Sequence, residues 1–438
     1  MLADHAIQFQ AAVSIMRFLA FLCTCCVTLF TTGVLGDDQP SYPVVTTGEK
    51  GELDGVRQWV LPNTPNGLRP TQSWHATGSS PDGDIYVAGM DHVSNAALYR
   101  LHSQSEKLEF VGDAQSSSQA AHNWLPGETA QKFHTRPLWH NGKIYVATMN
   151  RSTLDDQYLT QRGFHWYAYG ATKHNFADLS ASEPGGTAVD HGNLVTLASD
   201  PTRNLIYGAS VPTGEIFRYD VSLGRTERLG RPDAYDQRYV YTGRVMWVDS
   251  HGRLYFTAGN AESPTTFGHV YFYDPASGFG ERKDWKLQES KALELGQCFP
   301  AARLCIFSDD RGHVYRFQED GPSWSYIGQL KADQGAYVWL FDVTADASKA
   351  YIGTSLPFAD DPTALYVFDL KTGETEYLCS FAQLDPSLRN LSVHTGYDAW
   401  DREGRFYFAS FSRRSDQNVV LTRVDPLRLR RALSNLPK

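Results

Sequence analysis

Cysteine is scarce in this chain, and the scarcity is informative: of six in 438 residues, Cys23, Cys25 and Cys26 fall near the N-terminus, leaving Cys298, Cys305 and Cys379 for the body. Three such residues imply no disulfide framework, so stability has to come from packing. Basic charge is not in surplus either. With 40 Lys and Arg against 49 Asp and Glu the net charge is −9, which argues against a general nucleic-acid binder. An anionic ligand needs a local basic pit in an otherwise acidic body. A tryptophan-rich docking pattern for a planar quinone is also missing from the repeats, which disfavours a redox quinoprotein.

Apolar runs are short. Phe18 to Phe30 (FLAFLCTCCVTLF) follows Arg17 and is too brief to span a bilayer comfortably. Small Val34 and Gly36 precede Asp37 and Asp38, so residues 1–36 read as a secretory signal, with Met16 as an alternative start. A lipoprotein signal ending at Cys25 or Cys26 is the rival reading, and the residues before them fit it poorly. The expectation is a secreted or periplasmic protein, off the membrane after cleavage, with residues 37–438 as a single monomeric domain.

What is present in quantity is repetition. A turn rich in Asp, Gly, Asn or Ser, followed by a strand with an aromatic at a fixed place, recurs around Tyr86, Tyr145, Tyr207, Tyr255, Cys305, Tyr351 and Tyr407. Repeats of short strands at a spacing of roughly 45–60 residues predict an all-β, seven-bladed β-propeller. Cys305 holds an aromatic position and is therefore read as a buried thiol rather than as the partner of Cys298. Asp220 to Gly224, Asp274 to Gly278 and Asp369 to Gly373 read as hairpin turns between third and outer strands. The segment around Trp59 has strand character without a blade of its own, and is expected to complete the last blade and close the ring.

The repeat also supplies a ruler. Eleven residues before the aromatic position stand His75, His134, Arg244 and Glu294, near the predicted start of each inner strand; Thr196 and Leu340 hold that place in two other units, and His394 lies two residues further back in the last. The long connections, such as Gly112 to Lys132 and Arg231 to Gly243, all fall on the face where inner strands begin, and this is the face expected to carry function.

Three constellations lie there. His134 and His165 come from one blade and are expected to converge on one substrate group or metal; the bland alternative is a pair of satisfied core or rim histidines. Arg244, flanked by Tyr239 and Tyr241, suits a carboxylate or sulfate, or else bridges blade carbonyls. His75 and His394 come from blades that neighbour each other in a closed ring, and either line a sugar subsite or ligate a metal. A structural calcium or zinc ion near the axis, held with Glu294, is left open because no ligand spacing names it.

The Lys-x-His-Thr of Lys132 to Thr135, the Gly-x-His ending at His165 and the segment IYGASVPTGEIFRYD resemble seven-bladed polysaccharide lyases acting on ulvan, and the related rhamnose–glucuronate lyases and rhamnosidases. That resemblance, specific over Lys132 to Asp220, implies eliminative cleavage beside a uronic acid in an acidic polysaccharide or oligosaccharide, without an organic cofactor. His134 and His165 match the family's histidines; Tyr241 and Arg244 are placed by the ruler, in the scheme where Arg244 and His165 neutralise the carboxylate, His134 is base and Tyr241 acid, these last two roles being interchangeable. Glycoside hydrolysis, or glycan or protein binding without catalysis, are the alternatives.

Overall fold

The computed structural model describes residues 44–150, 159–235, 238–261, 268–332, 336–356, 362–395, 397–412 and 416–436. The proposed leader and most of the Ser152 to Gln161 stretch lie outside the described residues. Among the described residues no helix is long and apolar enough to cross a membrane.

Seven antiparallel sheets form the ring, each built so that successive strands run from the axis outward. The fourth blade is representative: Val240–Val248, Leu254–Asn260, His269–Asp274 and Gly278–Lys286 pair in chain order. In the second blade the inner strand is split into Lys132–Phe133 and Leu138–His140, both paired with Lys143–Met149. The repeat aromatics are buried between sheets, with Tyr86, Tyr145, Tyr207, Tyr255 and Tyr407 among the largest enclosed side chains. Their phenol oxygens need partners in this dry setting. Tyr407 donates to Asp401 at 2.7 Å and Tyr255 to Asp249 at 3.3 Å, each carboxylate lying in the tight turn before its own strand.

Ring closure follows the sequence expectation. Val56–Val60 pairs along its length with Val420–Val424, so the N-terminal segment supplies the outer strand of the last blade. Trp59 is buried there and donates its indole N–H to the carbonyl of Glu106 in the first blade, at 3.0 Å. The hairpin turns are also as read: Gly224, Gly278 and Gly373 take positive φ, and Asp220 accepts from the backbone N–H of Ser222 and Leu223. An L side chain is disfavoured at those glycines.

One reading is corrected. Cys298 and Cys305 are not separate thiols but a disulfide, because the two residues are register partners on the first two strands of the fifth blade, with Cα atoms 4.0 Å apart. Their closeness is a matter of register, which the aromatic repeat does not report. Cys379 is a buried free thiol, which burial pushes up to about 12.

Candidate functional site at the propeller axis

Inner strands place their side chains by breaking their own ladders. The register of the inner strand slips between Leu194 and Thr196, between Thr242 and Met246, between Val338 and Leu340, and between Val393 and Thr395. A bulge at this level releases a side chain from the between-blade packing and re-aims it. In the fourth blade Gly243 allows it: a Cβ there would sit 2.7 Å from the carbonyl oxygen of Leu293. Arg244 then donates its backbone N–H to that same carbonyl at 2.9 Å, and its own carbonyl accepts from the Thr196 hydroxyl at 2.8 Å.

The result is a linked group around the axis. Tyr241 donates its hydroxyl to Glu294 Oε1 at 2.7 Å, and Arg244 Nε stands 3.7 Å from Oε2 of the same carboxyl. The Arg244 guanidinium also lies 5.5 Å from the centre of the Tyr241 ring. Glu294 is almost fully buried; that burial raises its pKa to about 8, against the lowering influence of Arg244, and Asp310 nearby raises it further. Asp310 itself is raised to about 6, first by burial and then by Asp309. Lys132 is half-buried beside Trp74, with its Nζ 3.4 Å from His92 Nε2; loss of water around it, helped by the charge of Arg244, lowers it to about 8. The charges of Arg244 and Glu294 also reach Tyr397 in the seventh blade. Side chains from the second, fourth, fifth and seventh blades therefore share one electrostatic environment.

His75 and His134 meet each other, stacked with ring centres 5.4 Å apart, and the Trp339 ring from the sixth blade lies T-shaped to His75 at 5.6 Å. His75 has a φ of 49°, a left-handed backbone that few side chains adopt. Both imidazoles are buried.

The expected convergence of His134 with His165 is not what the structure places there. His165 sits in an enclosed network away from the stacked pair: Nδ1 is 3.0 Å from Asp178 and Nε2 is 3.0 Å from Glu128, and its side chain is 4% exposed. Arg162 and Asn123 complete that network at Glu128 and Asp178. Burial pulls the His165 pKa down, but the two carboxylates outweigh it and raise it. The strand beginning beside Gly163 thus directs its histidine toward the outer strand of its own blade. Tyr239 is buried under the Arg238 guanidinium, 5.2 Å from its ring centre. The side chain of His394 lies outside the described residues, while its backbone falls at the bulge of the last inner strand.

Lys132 and Trp339 were not singled out by sequence. Trp339 lies one residue before the ruler position of its blade, at the bulge, and Lys132 was visible only as the first letter of a motif. The Arg136 to Asp398 ion pair, at 2.6 Å between the second and seventh blades, was equally hidden. As for metal, no group of three His, Cys, Asp or Glu side chains suited to holding an ion occurs among the described residues.

These features define a seven-bladed β-propeller with a polar, partly titratable group gathered at its axis. No family model matches the chain, and no curated protein matches it. Among solved structures it is similar to a chain of the mitotic checkpoint complex, with 13% identity, 92% of this chain and 99% of that chain covered, and a TM-score of 0.52. It is also similar to an oligogalacturonate lyase from Vibrio parahaemolyticus, with 9% identity, coverage of 88% and 100%, and a TM-score of 0.50. A third is the U3-55K structure, with 9% identity, coverage of 84% and 98%, and a TM-score of 0.51. Likeness at this level establishes the propeller fold, and a propeller hosts many functions.

Proposed function

We propose that this protein is a secreted or periplasmic, carbohydrate-active propeller that cleaves uronic-acid linkages by β-elimination at the axial group. The observation that carries the reading is the meeting of Arg244, Tyr241 and Glu294 in one contact group, with the charge of Arg244 reaching Lys132, two residues before the His134 that stacks on His75. In elimination a base removes the proton α to the uronate carboxylate. The electron pair forms a double bond to the β carbon, and the bond from that carbon to the glycosidic oxygen breaks. The departing oxygen then takes a proton. Negative charge builds on the carboxylate, so cationic groups placed in advance lower the barrier.

In this scheme Arg244 and Lys132 face the carboxylate, taking over the part that sequence assigned to His165, whose nitrogens are already held by protein carboxylates. His134 acts as base. Tyr241 acts as acid when its hydroxyl turns from Glu294 to the departing oxygen, and the carboxyl, with a pKa of about 8, still holds a proton at neutral pH with which to reprotonate the phenolate. His75, Tyr239 and His394 are proposed to bind the sugar.

The test is absorbance at the unsaturated-uronate band when purified protein meets ulvan, gum arabic or pectic fragments. A rise supports elimination; no rise with any of them removes it. Reducing sugar released without the chromophore identifies a hydrolase instead. A second reading, glycan binding without turnover, is favoured by one observation: the Tyr241 hydroxyl already donates to Glu294, which engages the proton it would give a leaving group. Saturable glycan binding with neither product would establish that reading.

A further inference from the structure

Two cavities open on the face opposite the long loops, where the first and third strands of the blades end. The larger, about 590 Å³, lies among Phe299, Tyr351, Trp400 and the start of the helix Pro426–Ser434. The smaller, about 330 Å³, lies at the seam where the chain's two ends meet. Its walls carry five cations, Lys50, Arg57, Arg405, Arg423 and Arg428, against Asp54, Glu106 and Asp425. In a protein of net charge −9 this is a local reversal of sign.

The carboxylates present do not use up the cations. Glu106 is shared, accepting from Arg423 at 2.5 Å while also pairing with Arg57. Burial raises its pKa, but Arg423, Arg57 and Arg405 outweigh burial and hold it below the usual carboxylate value. Arg405 is turned toward Asp401 and Glu403 by its Nε and Nη2, leaving Nη1. Among the described residues Arg428 has only long pairings, 3.9 Å to Asp54 and 3.4 Å to Asp425. Lys50 makes no ion pair among the described residues, and the buried Nε of Arg423 has no hydrogen-bond partner. Counting Asp401 and Glu403 the carboxylates match the cations in number, yet donors on Arg405, Arg423 and Lys50 stay unused at the cavity wall, and gathering like charges there costs free energy unless something bonds to them.

We propose that this seam cavity is a binding site for a sulfate or phosphate group, free or carried as an ester, which joins the two ends of the ring. The cations approach from three separate segments: Lys50 and Arg57 from the N-terminal hairpin, Arg405 and Arg423 from the last blade, and Arg428 from the C-terminal helix. Donors arriving from several directions suit a tetrahedral oxyanion, and guanidinium groups supply the paired, charge-assisted bonds such anions take. The site is independent of the axial group and of any reaction there. Because the ligand bridges strands that must part for the ring to open, its binding raises the stability of the closed propeller.

The test is calorimetric titration of the full chain with sodium sulfate and sodium phosphate at constant ionic strength, alongside glucose 6-sulfate and glucose 6-phosphate. Saturable binding with a dissociation constant of about 1 mM or tighter is expected, weakened about tenfold in K50Q with R428Q, both exposed positions remote from the core. Glu106→Gln, which removes the competing carboxylate, is expected to tighten binding several-fold; a purely structural role for the network predicts no gain. Tighter binding of the esters than of the inorganic ions identifies an esterified ligand, and equal binding a free anion. Absence of saturation, or affinity unchanged in the double variant, overturns the proposal.

Discussion

Tyr241 and Glu294, on neighbouring blades, share a hydrogen bond of 2.7 Å beside the propeller axis, with Arg244 on the far side of the same carboxyl. The phenol donates, so the carboxyl is held by a tyrosine and faced by a guanidinium while almost wholly removed from water. Burial dominates, and the carboxyl keeps its proton up to about pH 8.

This sets a pH dependence of stability. The folded-state pKa of Glu294 lies above its ordinary value of 4.5, so its contribution is fully present below about 4.5 and is lost as pH rises through about 8. Glu294→Gln should therefore flatten that part of the profile, and the variant should gain on wild type between pH 5 and about pH 8 in denaturant titrations. A difference between the two proteins that does not change with pH would contradict the assignment.

Arg244→Ala should lower the elimination rate about 10²–10³-fold, the usual cost of losing one group that stabilises developing charge. Its side chain makes few contacts that hold the fold: one bond to the Thr242 carbonyl at 3.3 Å, the contact with Glu294 and the approach to the Tyr241 ring. Thermal melting near the wild-type midpoint together with the lost rate is the expected pair of results. A rate unchanged from wild type would remove Arg244 from the chemistry.

His165→Ala should act on stability first. It leaves Asp178 and Glu128 buried and facing an emptied site, a situation that typically costs about 3–5 kcal/mol. Asp178 and Glu128 are both held below their ordinary values: burial raises each, but the bond to His165 leads the effects that outweigh it. His165 is raised, so its share is complete below 6.5 and lost as pH rises through the folded value; the carboxylates' share is complete above about 4.5 and lost in acid. Wild type should thus show a stability plateau between those limits that the variant lacks, measured by denaturant unfolding across pH. Equal unfolding free energies would instead return His165 to the list of dispensable, substrate-facing groups.

Trp59→Ala should open the seam. The indole is buried, packs near Tyr407 with ring centres 6.4 Å apart, and donates to Glu106 in the first blade. Removing so large a buried side chain costs about 3–5 kcal/mol. Hydrogen exchange should speed up first in Val56–Val60 and Val420–Val424, the strands that close the ring. Uniform loss of protection over all blades would show that closure is not a separable unit.

The repeat made the architecture legible because each blade meets the same local demand: a turn, a strand and an aromatic to fill the wedge between sheets. That demand is met within about 50 residues, so it is written in the chain seven times over. The hairpin turns around Gly224, Gly278 and Gly373 were legible for the same local reason. The ruler carried this further, since His75 with His134, and Arg244 with Glu294, stand at one offset and do meet in pairs at the axis. The direction of a side chain was not legible. His165 turns into its own blade because Asp178 and Glu128 wait there, and neither is marked by the repeat.

By itself, then, the sequence determined the ring: seven sheets, their closure through the segment around Trp59, and the level on most inner strands where polar residues stand. Only the tertiary structure decided which of those residues share an environment, that Cys298 and Cys305 join, and that cations from both chain ends gather at one seam. The physical reason is range. Strand period and turn chemistry act between near neighbours, whereas burial and charge act between groups that only the closed ring brings within a few ångströms.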